Sequence, residues 1–287
     1  MSDRPIVGFV GLGSMGAILA GNLVEHGLTV VAHDVAGPDR APAGSTFVDD
    51  LAEVARRTEV VVLSLPDGGI GRRVVGGLLA AAGRTFTHVI DTTTAGPHDA
   101  RAIDALLGAA GIGFVDAPVS GGTAGARART LTVMVAGNDA SLARVEPVLA
   151  GLSDRRIRVG AVPGMAQTMK LANNFLSATA LAATSEAIAF GVAMGLDMDV
   201  MLQVLNASSG QSSATIDKFP NHVLTGRYAS GFANSLMAKD VRLYLTSVSE
   251  QGAPSEVGAV TERVWTRFAE SDPGADFTAI YRFVAEG

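Results

Sequence analysis

The segment most informative about the fold is PIVGFVGLGSMGAILAGNLVEHGLTVVAHD, at residues 5–34. Pro5–Val10 is apolar and reads as a buried strand, and Ser14–His26 has the pattern of a helix. Leu28–Asp34 is a second apolar strand, and it ends in an acidic residue. Strand, glycine-rich turn, helix and strand in this order predict the first βαβ unit of a parallel sheet.

The turn of this unit fits the pattern GxGxxG, through Gly11, Leu12, Gly13, Ser14, Met15 and Gly16. With 34 glycines in the chain, the bare pattern is expected about 0.5 times by chance. Its position between a strand and a helix makes it specific. Gly11 permits the tight turn, Gly13 lets the backbone approach a pyrophosphate, and Gly16 lets the helix pack closely. The pattern predicts a dinucleotide site; the alternative is a tight strand–helix turn in an unrelated α/β fold.

Asp34 follows Gly11 by 23 residues and ends the second strand. A carboxylate there accepts hydrogen bonds from the adenosine ribose and repels a 2′-phosphate, and the next arginine is Arg40. The arrangement favours NAD over NADP as the cofactor. The alternative is a solvated acid at a strand end.

The alternation of strands and helices continues through the first half of the chain. Further strands are predicted at Glu59–Leu65, Phe86–Asp91, Gly113–Ala117 and Leu131–Ala136, and further helices at Val48–Arg57, Gly71–Ala82, Pro97–Ala110 and Asp139–Gly151. Apolar strands separated by helices of this length predict a parallel, doubly wound α/β sheet of the Rossmann type. We assign residues 1–163 to this domain.

The pattern changes near Gly164. From there to Gly191 the chain has two charged residues, Lys170 and Glu186, and no proline. We predict one long helix to about Gly195 and an all-α domain at residues 164–287. Its other predicted helices are Met198–Asn206, Ala214–Val223, Ala233–Gly252, Val257–Glu270 and Phe277–Glu286.

Composition excludes several classes of protein. Hydrophobic residues make up 48% of the chain and charged residues 17%, which indicates a globular protein. The net charge of −6 and the lack of a basic run argue against a nucleic-acid or membrane-surface partner. There is no cysteine, and the five histidines have no metal-ligand spacing, so we expect no metal. Without a signal peptide or a sufficiently long apolar stretch, we expect a cytoplasmic protein.

Five segments in order carry a resemblance to a known family. They are GLGSMGAILAGNL (11–23), DTTTAGP (91–97), FVDAPVSGGTAGARARTLTVMVAG (114–137), GMAQTMKLANN (164–174) and FANSLMAKDVRL (232–243). Over essentially its whole length the chain resembles the β-hydroxyacid dehydrogenases, which include 3-hydroxyisobutyrate dehydrogenase and tartronate semialdehyde reductase. The resemblance implies NAD-dependent interconversion of a small β-hydroxy acid and its semialdehyde or keto acid.

The resemblance also implies roles for individual residues. Leu65, Pro66 and Thr94 correspond to contacts with the nicotinamide and its ribose, and Lys239 to a second lysine that approaches the cofactor. The residues implied to bind substrate are Ser120, Gly121, Gly122 and Asn174. Lys170 corresponds to the catalytic lysine.

The residues themselves agree with these roles. Ser120, Gly121 and Gly122 follow a strand end, and a hydroxyl beside exposed backbone N–H groups suits a carboxylate; composition alone would favour a plain turn. Lys170 and Asn174 share a helix face. We expect burial and a neighbouring positive nicotinamide to lower the pKa of Lys170, which would make it a base. The alternative is a lysine with an exposed tip.

Three positions depart from the family pattern. Arg129 and Ala166 stand where glycine is usual, and Thr93 where serine is usual. The threonine keeps a hydroxyl and the alanine is a small change. We interpret Arg129 as a solvated loop residue; the alternative is that it contacts a second acidic group of the substrate.

Other functions and the assembly state are left open by the sequence. An imine reductase and a catalytically silent NAD-binding protein share this architecture, and Lys170 argues against both. The long apolar helix lacks enough cover in a domain of about 120 residues. We therefore expect a homodimer, or a tetramer of two dimers, built through the helical domain.

Overall fold

The computed structural model describes residues 4–286. They form two compact units, the first ending at Lys170 and the second beginning at Leu171. The sequence places the domain boundary at residue 163, immediately before the helix in which the two units divide.

The first unit contains nine strands and six complete helices in its described part. The strands are β1 (Val7–Val10), β2 (Val30–His33), β3 (Thr46–Phe47), β4 (Val60–Leu63), β5 (His88–Asp91), β6 (Gly113–Asp116), β7 (Val119–Ser120), β8 (Thr132–Ala136) and β9 (Arg155–Gly160). The helices are α1 (Gly16–Glu25), α2 (Leu51–Arg57), α3 (Gly68–Ala80), α4 (Pro97–Ala109), α5 (Gly122–Arg127) and α6 (Asp139–Leu152). A short 3₁₀ turn spans Pro38–Arg40.

Six strands form the parallel part of the sheet, in the order β3-β2-β1-β4-β5-β6. The order reverses around β1, as in a doubly wound fold. Alternate residues of β4 show that both faces are covered: Val60 and Val62 belong to one apolar core, and Val61 and Leu63 to another. The predicted Rossmann-type α/β fold is confirmed, and the carboxyl ends of these strands lie along one edge.

Beyond β6 the sheet is mixed, where the sequence predicted a parallel sheet. β8 is antiparallel to β6 and β7, and β9 is parallel to β8. Three strands were missed. β3 and β7 have two residues each, and β9 carries the charged, largely exposed sequence RRIRVG, which is typical of an edge strand and lacks an apolar run.

The second unit is helical, as predicted. Its elements are α7 (Met165–Ala193), which begins in the first unit, α8 (Met198–Asn206), a π-helix (Ala214–Val223), α9 (Asn234–Glu250), α10 (Glu256–Ser271), a 3₁₀ turn (Phe277–Ala279) and α11 (Ile280–Glu286). Its core is built around Phe219, Trp265 and Phe268. Asp197 caps α8 by accepting a hydrogen bond from the Val200 N–H.

Helix α7 is long and apolar enough to cross a membrane by length and composition alone, contrary to our expectation. Buried core helices of other proteins pass the same test. In the second unit, Ala178, Leu181 and Ile188 of α7 are buried in the apolar core. The finding is therefore weak evidence for a membrane span.

Arg129 has a structural role, which corrects its interpretation as a solvated loop residue. Its φ of 57° lies in the left-handed region, which explains why glycine is usual here. Its guanidinium donates hydrogen bonds to the carbonyls of Asn22 (3.3 Å) and Ala150 (3.1 Å), in the last turns of α1 and α6. A cation at two helix C-termini is a favourable arrangement.

The left-handed backbone at Arg129 gives a prediction for a pair of variants. Arg129→Ala and Arg129→Gly both lose the two hydrogen bonds, but only alanine keeps the strained backbone. We expect both to lower the free energy of unfolding, and the glycine variant to be more stable than the alanine variant by about 1 kcal/mol. Urea denaturation measures this difference. An alanine variant as stable as the glycine variant would contradict it.

Candidate functional site

Two glycines of the loop after β1 lie too close to neighbouring backbone atoms for a larger residue. Gly11 has a φ of 98°, and a Cβ there would collide with the carbonyl oxygen of Ser64. A Cβ at Gly16 would collide with the carbonyl oxygen of Gly11. Both glycines therefore serve the close packing of loop, helix and β4, as the GxGxxG pattern predicts.

Gly13 differs from the other two glycines. Its φ is not positive, and a Cβ built on it would meet no atom within 4 Å. Neither strain nor packing within the chain requires glycine at this position. In the described part of the chain, the N–H groups of residues 13–16 donate to no backbone carbonyl. Open space facing N–H groups at a helix start fits the pyrophosphate of a dinucleotide.

Asp34 follows β2 and contacts the same loop. Its Oδ2 accepts a hydrogen bond from the Leu12 N–H (2.5 Å), and its Oδ1 accepts one from the Ala36 N–H (2.8 Å). Each carboxylate oxygen can accept a second hydrogen bond, so the group retains acceptors for a ribose hydroxyl. Asp34 therefore also holds the phosphate loop in place, which the sequence did not indicate.

The loops after β4 and β5 are tied together. The Leu65 N–H donates to the Thr93 hydroxyl oxygen over 3.0 Å. Thr93, which stands where serine is usual, therefore accepts a hydrogen bond through the hydroxyl that both residues carry. Pro66 follows in the same loop and is exposed. Thr94 is half-buried between two buried neighbours, Thr93 and Ala95. It is the part of its loop that remains accessible to a ligand.

The segment from Ser120 to Gly122 joins β7 to α5. Both glycines are exposed and left-handed, with φ of 133° at Gly121 and 66° at Gly122. A Cβ at Gly122 would meet no atom within 4 Å. The backbone conformation accounts for glycine here, and the open space in front of Gly122 leaves room for a small acid.

A buried network that sequence analysis missed fixes the start of α7. Asp116, at the end of β6, accepts hydrogen bonds from the N–H groups of Gly164 (2.9 Å) and Gln167 (3.2 Å) and from the Gln167 amide (2.7 Å). Both side chains are completely buried. The signal available in the sequence was an acid at the end of an apolar strand, in FVDAPV.

Burial raises the pKa of the Asp116 carboxyl from 3.8 to about 6, against the effect of its N–H donors. Between these values the folded protein holds a proton that the unfolded chain has released. The contribution of Asp116 to stability is therefore largest at low pH and declines as the pH rises.

Asp116→Asn removes this titration and gives a second prediction. We expect the stability advantage of the wild type over this variant to shrink by about 2 kcal/mol between about pH 4.5 and about pH 7.5. Urea denaturation of both proteins at the two pH values measures it. A difference that does not vary with pH would show that Asp116 titrates at its ordinary pKa.

Lys170 lies on α7, one turn after Gln167, and is 7% exposed. The alternative of a lysine with an exposed tip does not fit this burial. Asn174 lies one turn further along α7 and is also buried.

In the second unit, Asn174 and Lys239 meet at one carboxylate. The Asn174 amide donates to Asp240 Oδ2 over 2.6 Å, and the Lys239 amine lies 3.2 Å from Asp240 Oδ1. Asp240 is buried on α9 and was not among the predicted site residues. It positions both side chains, whose roles toward substrate and cofactor stay predictions.

The parallel sheet brings most of the predicted cofactor residues to one edge. The phosphate loop, Asp34, the Leu65–Pro66 segment and the Thr94 loop follow β1, β2, β4 and β5, respectively. Among residues 4–286, no group of three potential metal ligands lies together. An edge of this kind, with a phosphate loop at the point where strand order reverses, is that of a dinucleotide-binding protein.

Comparison with known proteins agrees with this geometry. The family described as "NAD binding domain of 6-phosphogluconate dehydrogenase" matches residues 6–160, and "NAD-binding of NADP-dependent 3-hydroxyisobutyrate dehydrogenase" matches residues 164–284. The 2-(hydroxymethyl)glutarate dehydrogenase of Eubacterium barkeri is 34% identical over 265 residues, covering 90% of this chain and 87% of that protein.

Solved structures show the same relationship. Mycobacterium tuberculosis 3-hydroxyisobutyrate dehydrogenase with L-serine superimposes with a TM-score of 0.90 at 32% identity, covering 98% of this chain and 99% of that one. An imine reductase of Streptomyces aurantiacus has a TM-score of 0.65 at 20% identity, covering 97% and 98%, which shows a shared fold alone. The chain belongs to the β-hydroxyacid dehydrogenase family, and is an oxidoreductase with a nicotinamide cofactor.

Proposed function

We propose that this enzyme uses NAD to oxidise the primary alcohol of 2-substituted 3-hydroxypropanoates to the semialdehyde, with Lys170 as the base. One observation carries the proposal. A buried lysine lies on the helix whose first turn is hydrogen-bonded to the loop that holds Thr94, at the sheet edge that carries the phosphate loop.

The substrate class follows from the chemistry shared by three compounds. The names of similar proteins include 3-hydroxyisobutyrate and 2-(hydroxymethyl)glutarate, and one of the solved structures is described with L-serine. Each has a CH₂OH group on a carbon that also bears a carboxylate and one further substituent. That substituent is a methyl, carboxyethyl or amino group, respectively. We therefore assign the shared part, hydroxymethyl and carboxylate, to the residues of this chain that carry the family motifs.

The proposed reaction needs one hydride acceptor and one proton acceptor. Bound NAD supplies the hydride acceptor. The neutral amine of Lys170 takes the hydroxyl proton as the carbonyl forms, and its ammonium returns that proton in the reduction of the semialdehyde. Gly13 and the following N–H groups would hold the pyrophosphate, and Ser120 to Gly122 would hold the carboxylate of the acid.

Gly122→Ala gives a third prediction, because it fills open space on the substrate side. Gly83→Ala is its matched control: Gly83 is also left-handed (φ 71°), and a Cβ there would meet no atom within 4 Å. We expect Gly122→Ala to raise KM for the acid by about 10-fold or more, with NADH affinity within about twofold of the wild type. Gly83→Ala should leave both unchanged. Equal damage by Gly122→Ala to KM and NADH binding would mean that the segment is structural.

The choice of NAD rests on Asp34, whose carboxylate would lie against a 2′-phosphate. Because Asp34 also holds the Leu12 N–H, the informative variant is Asp34→Asn, which keeps an oxygen acceptor but removes the charge. Titration should show tighter binding of NADH than NADPH by the wild type, and a smaller difference in the variant. Equal or tighter binding of NADPH by the wild type would overturn the choice.

We also propose that a second copy of the chain covers the exposed apolar surface of α7 and α8. Phe190 and Met194 are each 70% exposed, and Leu176, Leu196, Val200 and Val204 are exposed as well. So many exposed apolar side chains on two consecutive helices and the turn that joins them are typical of a homo-oligomer interface. Light scattering at micromolar concentration should show a dimer or tetramer, and Phe190→Glu should shift it toward monomer. A wild-type monomer would refute the proposal.

The proposed function is tested by mixing the purified protein with NAD or NADP and each of the three acids while following NADH or NADPH absorbance. Oxidation of at least one acid with NAD is expected. Inactivity on all three acids, together with reduction of a cyclic imine, would assign the chain to the imine reductases instead.

A further inference from the structure

Every hydrogen-bonding position of the Gln167 side-chain amide is paired with a neighbouring group. Its Nε2 donates to the carbonyl of Thr93 (2.9 Å) and to Asp116 Oδ1 (2.7 Å). Its Oε1 accepts from the N–H groups of Ala95 (2.9 Å) and Gly96 (3.1 Å). The residue is buried to 0% exposure. A terminal amide has two donors and two acceptor sites, so all four are satisfied at once.

These four hydrogen bonds join elements that are far apart in the sequence. Three of them surround Thr94, through its neighbours Thr93, Ala95 and Gly96, and the fourth reaches the end of β6. The Leu65 N–H extends the network through the Thr93 hydroxyl. Gln167 itself lies one helical turn before Lys170 on α7.

We propose that Gln167 is a positioning residue for the reaction. It sets the place of the Lys170 amine relative to the Thr94 loop, which is the loop assigned to the nicotinamide side of the site. This inference rests on the proposed function. Displacement of a reacting group by about 1 Å can cost about 100-fold in rate, and a rigid, fully paired amide next to the helix start restricts such displacement.

Gln167→Met tests the role with a side chain of similar size that makes none of the four hydrogen bonds. We expect kcat to fall by about 10- to 100-fold. The NADH dissociation constant should stay within about threefold of the wild type, because the phosphate loop and Asp34 are not part of the network. Titrating the NADH sites of each preparation gives kcat per folded enzyme, so a loss of folded protein does not count as a loss of turnover.

Gln167→Glu adds a readout that general destabilisation would not produce. The new carboxylate would lie against Asp116 and the Thr93 carbonyl, and two adjoining carboxylates take up a shared proton as the pH falls. Once protonated, the introduced carboxyl would again donate one hydrogen bond and accept from the two N–H groups. The ratio of variant to wild-type kcat should therefore rise as the pH is lowered from about 8 to about 6. The free energy of unfolding of the cofactor-free variant, relative to that of the wild type, should also rise as the pH is lowered over this range.

The outcomes separate the two proposals. A wild type that oxidises none of the acids overturns the proposed function and this inference with it. A wild type that is active, with a Gln167→Met variant of equal kcat, overturns the inference alone. A kcat ratio for Gln167→Glu that is independent of pH, while its relative stability changes with pH, also overturns it, because the network would then affect folding without affecting turnover.

Discussion

Lys170→Arg is expected to lower kcat by roughly 10²–10⁴, the usual contribution of general acid–base catalysis, while NADH binding stays nearly unchanged. Arginine preserves the positive charge but cannot release a proton at any accessible pH. The variant therefore resembles the ammonium form of Lys170 but has no proton acceptor. Steady-state turnover with a 3-hydroxypropanoate, together with NADH fluorescence titration, measures both quantities.

Lys218→Arg is the matched control for this variant. Lys218 is paired with Asp217 over 2.5 Å, and an arginine can keep that ion pair. The turnover of the Lys218→Arg variant should equal that of the wild type. If Lys170→Arg retained most of its turnover, the lysine would be an electrostatic anchor for the substrate, and another group would have to accept the proton.

Gly13→Val is expected to have the second largest effect, an increase in the NADH dissociation constant of at least about 100-fold. The added side chain begins in space where a Cβ meets no atom of the chain within 4 Å. We therefore expect the folded protein to accommodate it, and the side chain to occupy the space proposed for the pyrophosphate. The free energy of unfolding without cofactor should change by less than about 1 kcal/mol. NADH titration and urea denaturation test the two halves of the prediction.

Gly76→Val is the control for Gly13→Val, because a Cβ at Gly76 also meets nothing within 4 Å, and its φ is not positive. This position is exposed on α3, so the control should leave NADH affinity unchanged. NADH binding by Gly13→Val with wild-type affinity would contradict the placement of the pyrophosphate.

The parts of the fold that were predictable are those with a local pattern. Apolar runs such as VGFV and VVVL belong to strands buried on both faces, and such runs stand out in any sequence. The GxGxxG loop could be interpreted because each glycine answers a local need: a positive φ at Gly11, close packing at Gly16 and open space at Gly13.

The parts that were not predictable depend on contacts between distant residues. Gln167 and Thr93 are 74 positions apart, and Gln167 and Asp116 are 51 apart. Periodicity carries no information about such pairs. Arg129 shows the same limit. The sequence shows an arginine where glycine is usual, but not that its guanidinium contacts the ends of two helices.

The proposed reaction transfers a hydride directly from the CH₂OH carbon of a 2-substituted 3-hydroxypropanoate to NAD. The most direct measurement uses 3-hydroxyisobutyrate carrying two deuterium atoms on that carbon, with mass spectrometry of the reduced cofactor. We expect one deuterium in each NADH formed and a deuterated aldehyde as the product. Reduced cofactor without deuterium, or no reduced cofactor with any of the three acids, would contradict it.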